Sequence, residues 1–170
     1  MGGILAFEIW RQAPERVTHL ALLDTNPHAE SADRQSMRLD QIAAAASGRL
    51  RELATESLKP IYLAAAHRDD DSLLSTILDM VMDLGPDVFR SQSLALRSRK
   101  DSVPTLRTIT CPTLVMCGDE DRICPPAYHE LMAAEIPNAE LKVIENCGHL
   151  SSMEQPEVVT HELKKLLEKI

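Results

Sequence analysis

The chain has 170 residues, 44% of them hydrophobic and 26% charged, with a formal net charge of −8. That size suits one domain with a core of its own, and the acidic balance argues against a nucleic-acid or anionic-membrane surface. No apolar run approaches the roughly 20 residues of a membrane span, and the first residues lack the basic stretch and small-residue cleavage site of a signal peptide.

Residues 2–13 read as a helix with a narrow polar face made by Glu8, Arg11, Gln12 and Glu15. Ile4, Leu5, Phe7, Ile9, Trp10 and Ala13 cover the remainder, so the helix is expected to be largely buried. Pro14 ends it. "VTHLALLDT" (17–25) reads as a buried parallel strand, broken by Asn26-Pro27. Residues 30–98 are rich in Ala, Leu, Ser, Arg and Asp without a convincing strand, and three or four helices are expected there. One of them carries Leu73, Leu74, Ile77, Leu78, Val81 and Met82 on one stripe; core is the common fate of such a stripe, the wall of an acyl pocket the other. "RDDD" (68–71) reads as a solvated loop with Asp71 near a helix start. Residues 97–112 form a connector.

The alternation of strand and helix then returns. "PTLVMCG" (112–118) is a strand, "PPAYHELMAAEIP" (125–137) a helix and "AELKVIE" (139–145) a strand. A last helix spans 155–170, with Val159, Leu163, Leu166, Leu167 and Ile170 on its apolar face. This order predicts an α/β fold with about three parallel strands, flanking helices and a helical insertion. Cys111, Cys117, Cys124 and Cys147 show no tight pairing, which fits reduced thiols in a cytoplasmic protein.

Parallel α/β sheets place their sites at the carboxyl ends of strands. After the second strand comes "CGDEDRICPP", with Gly118, Asp119, Glu120 and Asp121; after the third comes "ENCGHLSSMEQP", with Gly148 and His149. An acid that accepts the Nδ1 hydrogen of the histidine fixes its tautomer and leaves Nε2 free as a general base. Such a pair needs a nucleophile.

The opening "MGG" resembles the end of Gly-x-Ser-Met-Gly-Gly, the nucleophile elbow of the α/β-hydrolase fold family. "APERVTHLALLDT" is similar to the strand after the elbow helix, "CPTLVMCGDEDRICPP" to the strand and loop of the catalytic acid, and "VIENCGHLSSMEQPEVV" to the loop of the catalytic histidine. The likeness spans nearly the whole chain and lies nearest the serine esterase and lactonase branch. It implies an α/β-hydrolase core at 1–29 and 99–170 with a helical cap at 30–98. It implies Asp121 as triad acid, His149 as triad base, and Met1 at the position whose backbone N–H serves the oxyanion hole. No cofactor and no metal are implied, and the substrate would be a small ester-like molecule. The nucleophile Ser, or an Asp as in dehalogenases of the fold, would lie immediately before Met1. The expectation is therefore the C-terminal portion of a hydrolase, inactive alone. A non-catalytic remnant is the alternative, self-associating through an open sheet edge near 17–24, and complementation by a separately encoded half is a third reading.

Each assignment has a plainer counterpart. The plainer reading of Asp121 is a turn acid capping the helix that starts at Pro125, and of His149 a structural loop histidine; the histidine in register with the acid favours the triad positions. Asp119 and Glu120 are expected to cap or solvate their loop. His19, His28, His67, His129 and His161 sit in strand, loop or helix-surface contexts without a role. Cys124 or Cys147 as a substitute nucleophile beside His149 runs against the usual burial of a free thiol. Cys117, Cys124, Cys147 and His149 lack the spacing of a zinc knuckle.

Overall fold

The run "TLVMCG" forms the central strand, and every one of its residues is buried. The computed structural model describes residues 1–169, and their side chains apart from those of 58–60. In chain order the elements are α1 (Gly2–Gln12), β1 (Leu20–Leu23), α2 (Ala32–Ala44), α3 (Leu50–Leu53), α4 (Lys59–Tyr62), α5 (Asp71–Arg97), α6 (Val103–Leu106), β2 (Thr113–Gly118), α7 (Pro126–Glu135), β3 (Ala139–Ile144), α8 (Ser151–Glu154) and α9 (Pro156–Leu167). The three strands form one parallel sheet in the order β1-β2-β3, with Leu20 opposite Thr113 and Thr113 opposite Ala139. Alternate residues of β2 feed two cores. Val115 joins Phe7, Trp10, Leu22, Met132 and Ile136 on one face; Leu114 and Met116 join Ile144, Val159 and Leu166 on the other. Helices α1 and α7 cover one face and α9 the other, the two-sided cover that a parallel sheet requires. Among the described residues no helix is long and apolar enough to cross a membrane.

Several expectations shift. β1 is shorter than 17–25, because only Leu20–Leu23 find partners on β2. It is an edge strand among the described residues, and its burial alternates instead of running through. Helix α1 is not largely buried: Phe7 and Trp10 are, but Leu5 is 57% and Ile9 54% exposed. A helix lying on one side of an edge strand can turn only one stripe to it, and no described residue covers the other. On α9, Val159 and Leu166 are buried while Leu167 is 70% exposed; Ile170 lies outside the described residues.

Between β1 and β2 the described residues form five helices, α2 to α6, and no strand. Ser31 caps α2, its hydroxyl accepting from the Arg34 amide, and Asp70 caps α5, accepting from Ser72 and Leu73. The apolar stripe at 73–82 lies on α5, which runs on to Arg97 across a break at Gly85, where φ is 72° and ψ 178° ahead of Pro86. Residues 45–49 and 54–58 widen into π-helical turns. The connector 97–112 contains the single turn α6.

The entry and exit of this helical excursion touch. Ser102 N–H donates to the Pro27 carbonyl at 2.7 Å, Ala29 N–H to Asp101 at 3.2 Å and Arg99 Nε to the His28 carbonyl at 2.7 Å. Buried Glu30 is gripped there by both Arg38 and Arg99.

Candidate active site

The carboxyl ends of the three strands lie together, since Leu23 pairs with Met116 and Gly118 with Ile144. The loops that follow are interlocked through their backbones. Asp119 N–H donates to Ile144, and Glu120 N–H donates to Cys147, each at 2.9 Å. A Cβ on Gly118 would stand 2.0 Å from the Cys147 carbonyl oxygen. Only glycine lets the two loops approach this closely.

This packing brings Asp121 to His149. The Nδ1 atom of His149 lies 2.9 Å from Asp121 Oδ2, and the Asp121 side chain is fully buried. The other oxygen, Oδ1, accepts from the amides of Ile123 and Cys124, each at 2.8 Å. Asp121 therefore turns its own loop and meets the histidine; it does not cap α7, whose start has no side-chain cap. With the carboxylate as acceptor, His149 carries its hydrogen on Nδ1 and presents a bare Nε2. The imidazole lies against Tyr62, ring centroids 6.1 Å apart at 21°, and the His149 amide donates to the Tyr62 carbonyl at 2.7 Å. Asp119 and Glu120 fasten loops: Asp119 accepts from Cys147 N–H and Glu120 from Ala65 N–H. His149 and Met1 line one cavity of about 750 Å³, closed on its far side by α2 and α5.

Three further acids escaped the sequence, Glu154 and Glu30 buried and Asp24 half-buried. Glu154 Oε1 accepts from Gly148 N–H at 2.9 Å; its Oε2 accepts from Ala64 N–H at 2.8 Å and meets His67 Nδ1 at 3.1 Å. It joins the histidine loop to the end of the helical segment. Asp24, directly after β1, has φ of 47°, a conformation that Asp tolerates better than most residues. Its Oδ2 accepts from the amide and hydroxyl of Ser151, while Oδ1 is buried with no partner among the described residues. Burial pushes its carboxyl up to about 6, against the Ser151 hydrogen bond. Glu30 is the third. Sequence spacing cannot reveal these, because their partners include amides and guanidiniums distant in the chain; "GHLSSME" sets Glu154 near the histidine without showing what it binds.

His129 corrects an expectation. It was assigned to a helix surface, yet it is fully buried, and its Nε2 accepts from the Thr25 amide at 3.0 Å. Burial holds its imidazole below the ordinary value. All four cysteines are free and buried. Burial, reinforced by Asp121, pushes Cys124 up to about 12, and burial pushes Cys147 up further; neither environment supports a thiolate nucleophile. Asp121, Cys124 and His149 offer one ligand atom each within 4.8 Å of one another. Both Asp121 oxygens are already engaged by hydrogen bonds, and the Cys124 thiol is held protonated, so this donor set does not suit a metal. Cys117 and Cys147 do not join it.

A family model described as the alpha/beta hydrolase fold matches residues 1–156. The chain belongs to that family. Among similar proteins, this hydrolase-family chain is 29% identical to a proline iminopeptidase of Pestalotiopsis fici, over 99% of the chain and 64% of the relative. It is 27% identical to a 2-hydroxy-6-oxononadienedioate/2-hydroxy-6-oxononatrienedioate hydrolase of Paraburkholderia xenovorans, over 92% of the chain and 56% of the relative. A solved thermophilic esterase of Thermogutta terrifontis, with malate bound, superposes with a TM-score of 0.92 at 31% identity, covering 98% of this chain and 61% of the esterase. The chain thus spans less than two thirds of the length of these hydrolase relatives.

Proposed function

We propose that the chain forms the acid-and-histidine portion of a serine hydrolase that cleaves an ester, lactone or thioester bond. The observation that carries this reading is the hydrogen bond of 2.9 Å between buried Asp121 and His149, which lines the cavity. In the proposed reaction, His149 Nε2 removes the proton of a serine hydroxyl as it attacks the carbonyl carbon. The same nitrogen then hands that proton to the leaving oxygen or sulfur. Asp121 holds the ring and stabilises its charged form without itself taking the proton. The attacking residue would precede Met1 in a longer chain, and the backbone N–H at Met1 would then face the developing oxyanion. Residues 30–98 would act as a cap that shapes the cavity. Four free thiols suit a reducing compartment, which supports a cytoplasmic location.

A fluorophosphonate probe tests this reading. The 170-residue chain should remain unlabelled, and a chain extended upstream of Met1 should label stoichiometrically and lose the label on His149→Ala. Labelling of the 170-residue chain itself would place the nucleophile elsewhere and overturn the reading.

One observation favours a second reading, a self-associating module without catalysis. Among the described residues β1 has a single strand partner, and Leu5 and Ile9 on α1 are more than half exposed. An open apolar edge of this kind favours pairing with a second copy. A stable monomer at micromolar concentration in size-exclusion chromatography would remove it.

A further inference from the structure

The cavity above His149 is charged in a way its apolar walls do not explain. Leu53, Val81, Leu84 and Phe89 form much of the wall, yet the charged lining consists of Arg34, Arg38, Arg49 and Arg122 against the single acid Asp40. This cluster of cations sits in a chain whose net charge is −8. Arg34 and Arg38 stand one turn apart on α2, a spacing at which like charges repel. Arg38 and Arg99 both grip Glu30, so two guanidiniums share one carboxylate and leave a positive charge uncompensated. Arg34 Nη2 reaches only a backbone carbonyl, that of Ile123, at 3.4 Å. Ile123 is two residues beyond Asp121, so this guanidinium lies between α2 and the acid loop. Arg49 donates from Nε to the Ser47 hydroxyl at 3.2 Å. Among the described residues neither Arg34, Arg49 nor Arg122 forms an ion pair, although Arg11, Arg38, Arg99 and Arg107 do.

Arg34, Arg49 and Arg122, which form no ion pair among the described residues, and Arg38, which shares Glu30 with Arg99, line one concave, largely apolar space with His149, and such a lining matches a ligand with an anionic end and a hydrocarbon body. We propose that the cavity takes a carboxylate-bearing substrate, an ester or thioester whose free carboxylate is held by Arg34 and Arg38 while its scissile carbonyl faces His149. The reacting end of this assignment rests on the hydrolase reading; the anion-binding end does not. The planar fork of a guanidinium favours a carboxylate in a bidentate pair, and a phosphate-bearing ligand is the competing chemistry that the test separates.

Isothermal titration of the 170-residue chain with monomethyl adipate and with dimethyl adipate needs no turnover. The monoester should bind about tenfold or more tightly, and the preference should weaken with added salt. Arg34→Gln should abolish most of the preference. Arg122→Gln, on a different loop, should reduce it while leaving the melting temperature unchanged. Equal affinities for the two esters, absence of saturable binding by either, or an unchanged preference in Arg34→Gln would overturn the proposal. Displacement of the monoester by inorganic phosphate at lower concentration than by acetate would replace the carboxylate with a phosphate ligand and overturn it in that form. Fluorophosphonate labelling of the longer chain reports separately on the hydrolase reading. Carboxylate preference without labelling would sink the chemistry and leave the anion site standing; labelling without preference would do the reverse.

Discussion

The loops after β2 and β3 and the helical segment 32–97 face the same cavity, but different contacts hold them. In the loops, backbone lies on backbone: Gly118 against Cys147, Asp119 and Glu120 bound to Ile144 and Cys147, and the Asp121 oxygens used by two amides and one imidazole. In the helical segment the chain widens twice into π-helical turns, turns left-handed at Gly48 and Gly85, and exposes Met37, Leu39, Met80 and Leu84. The pair that would move a proton is thus positioned by main-chain contacts. The wall that would choose a substrate is a set of side chains on helices that can adjust. Precision is needed where a hydrogen bond must point; tolerance serves where an apolar body must fit.

The two kinds of glycine break this comparison most sharply. Gly118→Ala would drive a methyl group into the Cys147 carbonyl, backbone against backbone, and should cost about 4 kcal/mol or more in chemical denaturation, or prevent folding. Glu154→Ala comes next. It strips the acceptor from Gly148, Ala64 and His67, and should cost about 3 kcal/mol through the amides left unpaired. Its amide exchange should rise at 148 and 64 together, because one carboxylate serves both.

Asp24 gives an effect confined to a pH window. Its folded carboxyl is raised from 3.8 to about 6, so the folded state holds that proton more tightly than the unfolded state. This contribution is fully present below about pH 4 and lost as pH rises through 6, and it amounts to on the order of 2 kcal/mol. Asp24→Asn should remove that slope and leave the variant the more stable of the two at pH 7, measured as melting temperature against pH. His129, held low by burial, has the opposite sign: its contribution is lost as pH falls below its unfolded value. The difference between wild type and Asp24→Asn isolates the carboxyl. The smallest effect belongs to the helical segment. Gly85→Ala meets nothing within 4 Å and should cost only the backbone strain of φ 72°, about 1–2 kcal/mol. If Gly85→Ala proved as damaging as Gly118→Ala, the contrast between the two regions would fail.

The parts of the site legible in the sequence are those where local pattern and chemistry coincide. "PTLVMCGDED" announces a buried strand running into acids, and "CGHL" sets a histidine after the next strand; the parallel register then brings them together. Glu154, Asp24 and Glu30 could not be read this way, because their partners are amides and guanidiniums supplied by distant turns. His129 falls at a helical position whose polarity suggests a surface, and only the Thr25 amide, delivered by β1, makes its burial tolerable. The exposure of Leu5 and Ile9 was illegible for the opposite reason: composition demands burial, but burial depends on having something to lie against. The break at 45–49 falls on Ser47-Gly48, whereas 54–58 holds no Gly or Pro to mark it.

The clasp at the base of the helical segment has a consequence for how such a chain can change. Ser102 bonds to Pro27, Ala29 to Asp101 and Arg99 to His28, so everything from 30 to 98 leaves and returns through one doorway. The entropy of closing a loop grows only slowly with its length once the ends are pinned. A lineage could therefore lengthen, shorten or wholly exchange this handle while the strands, and the distance from Asp121 to His149, stay where they are. Grafting a foreign set of helices between Pro27 and Ser102 would alter what the molecule grasps without retuning what it does to it.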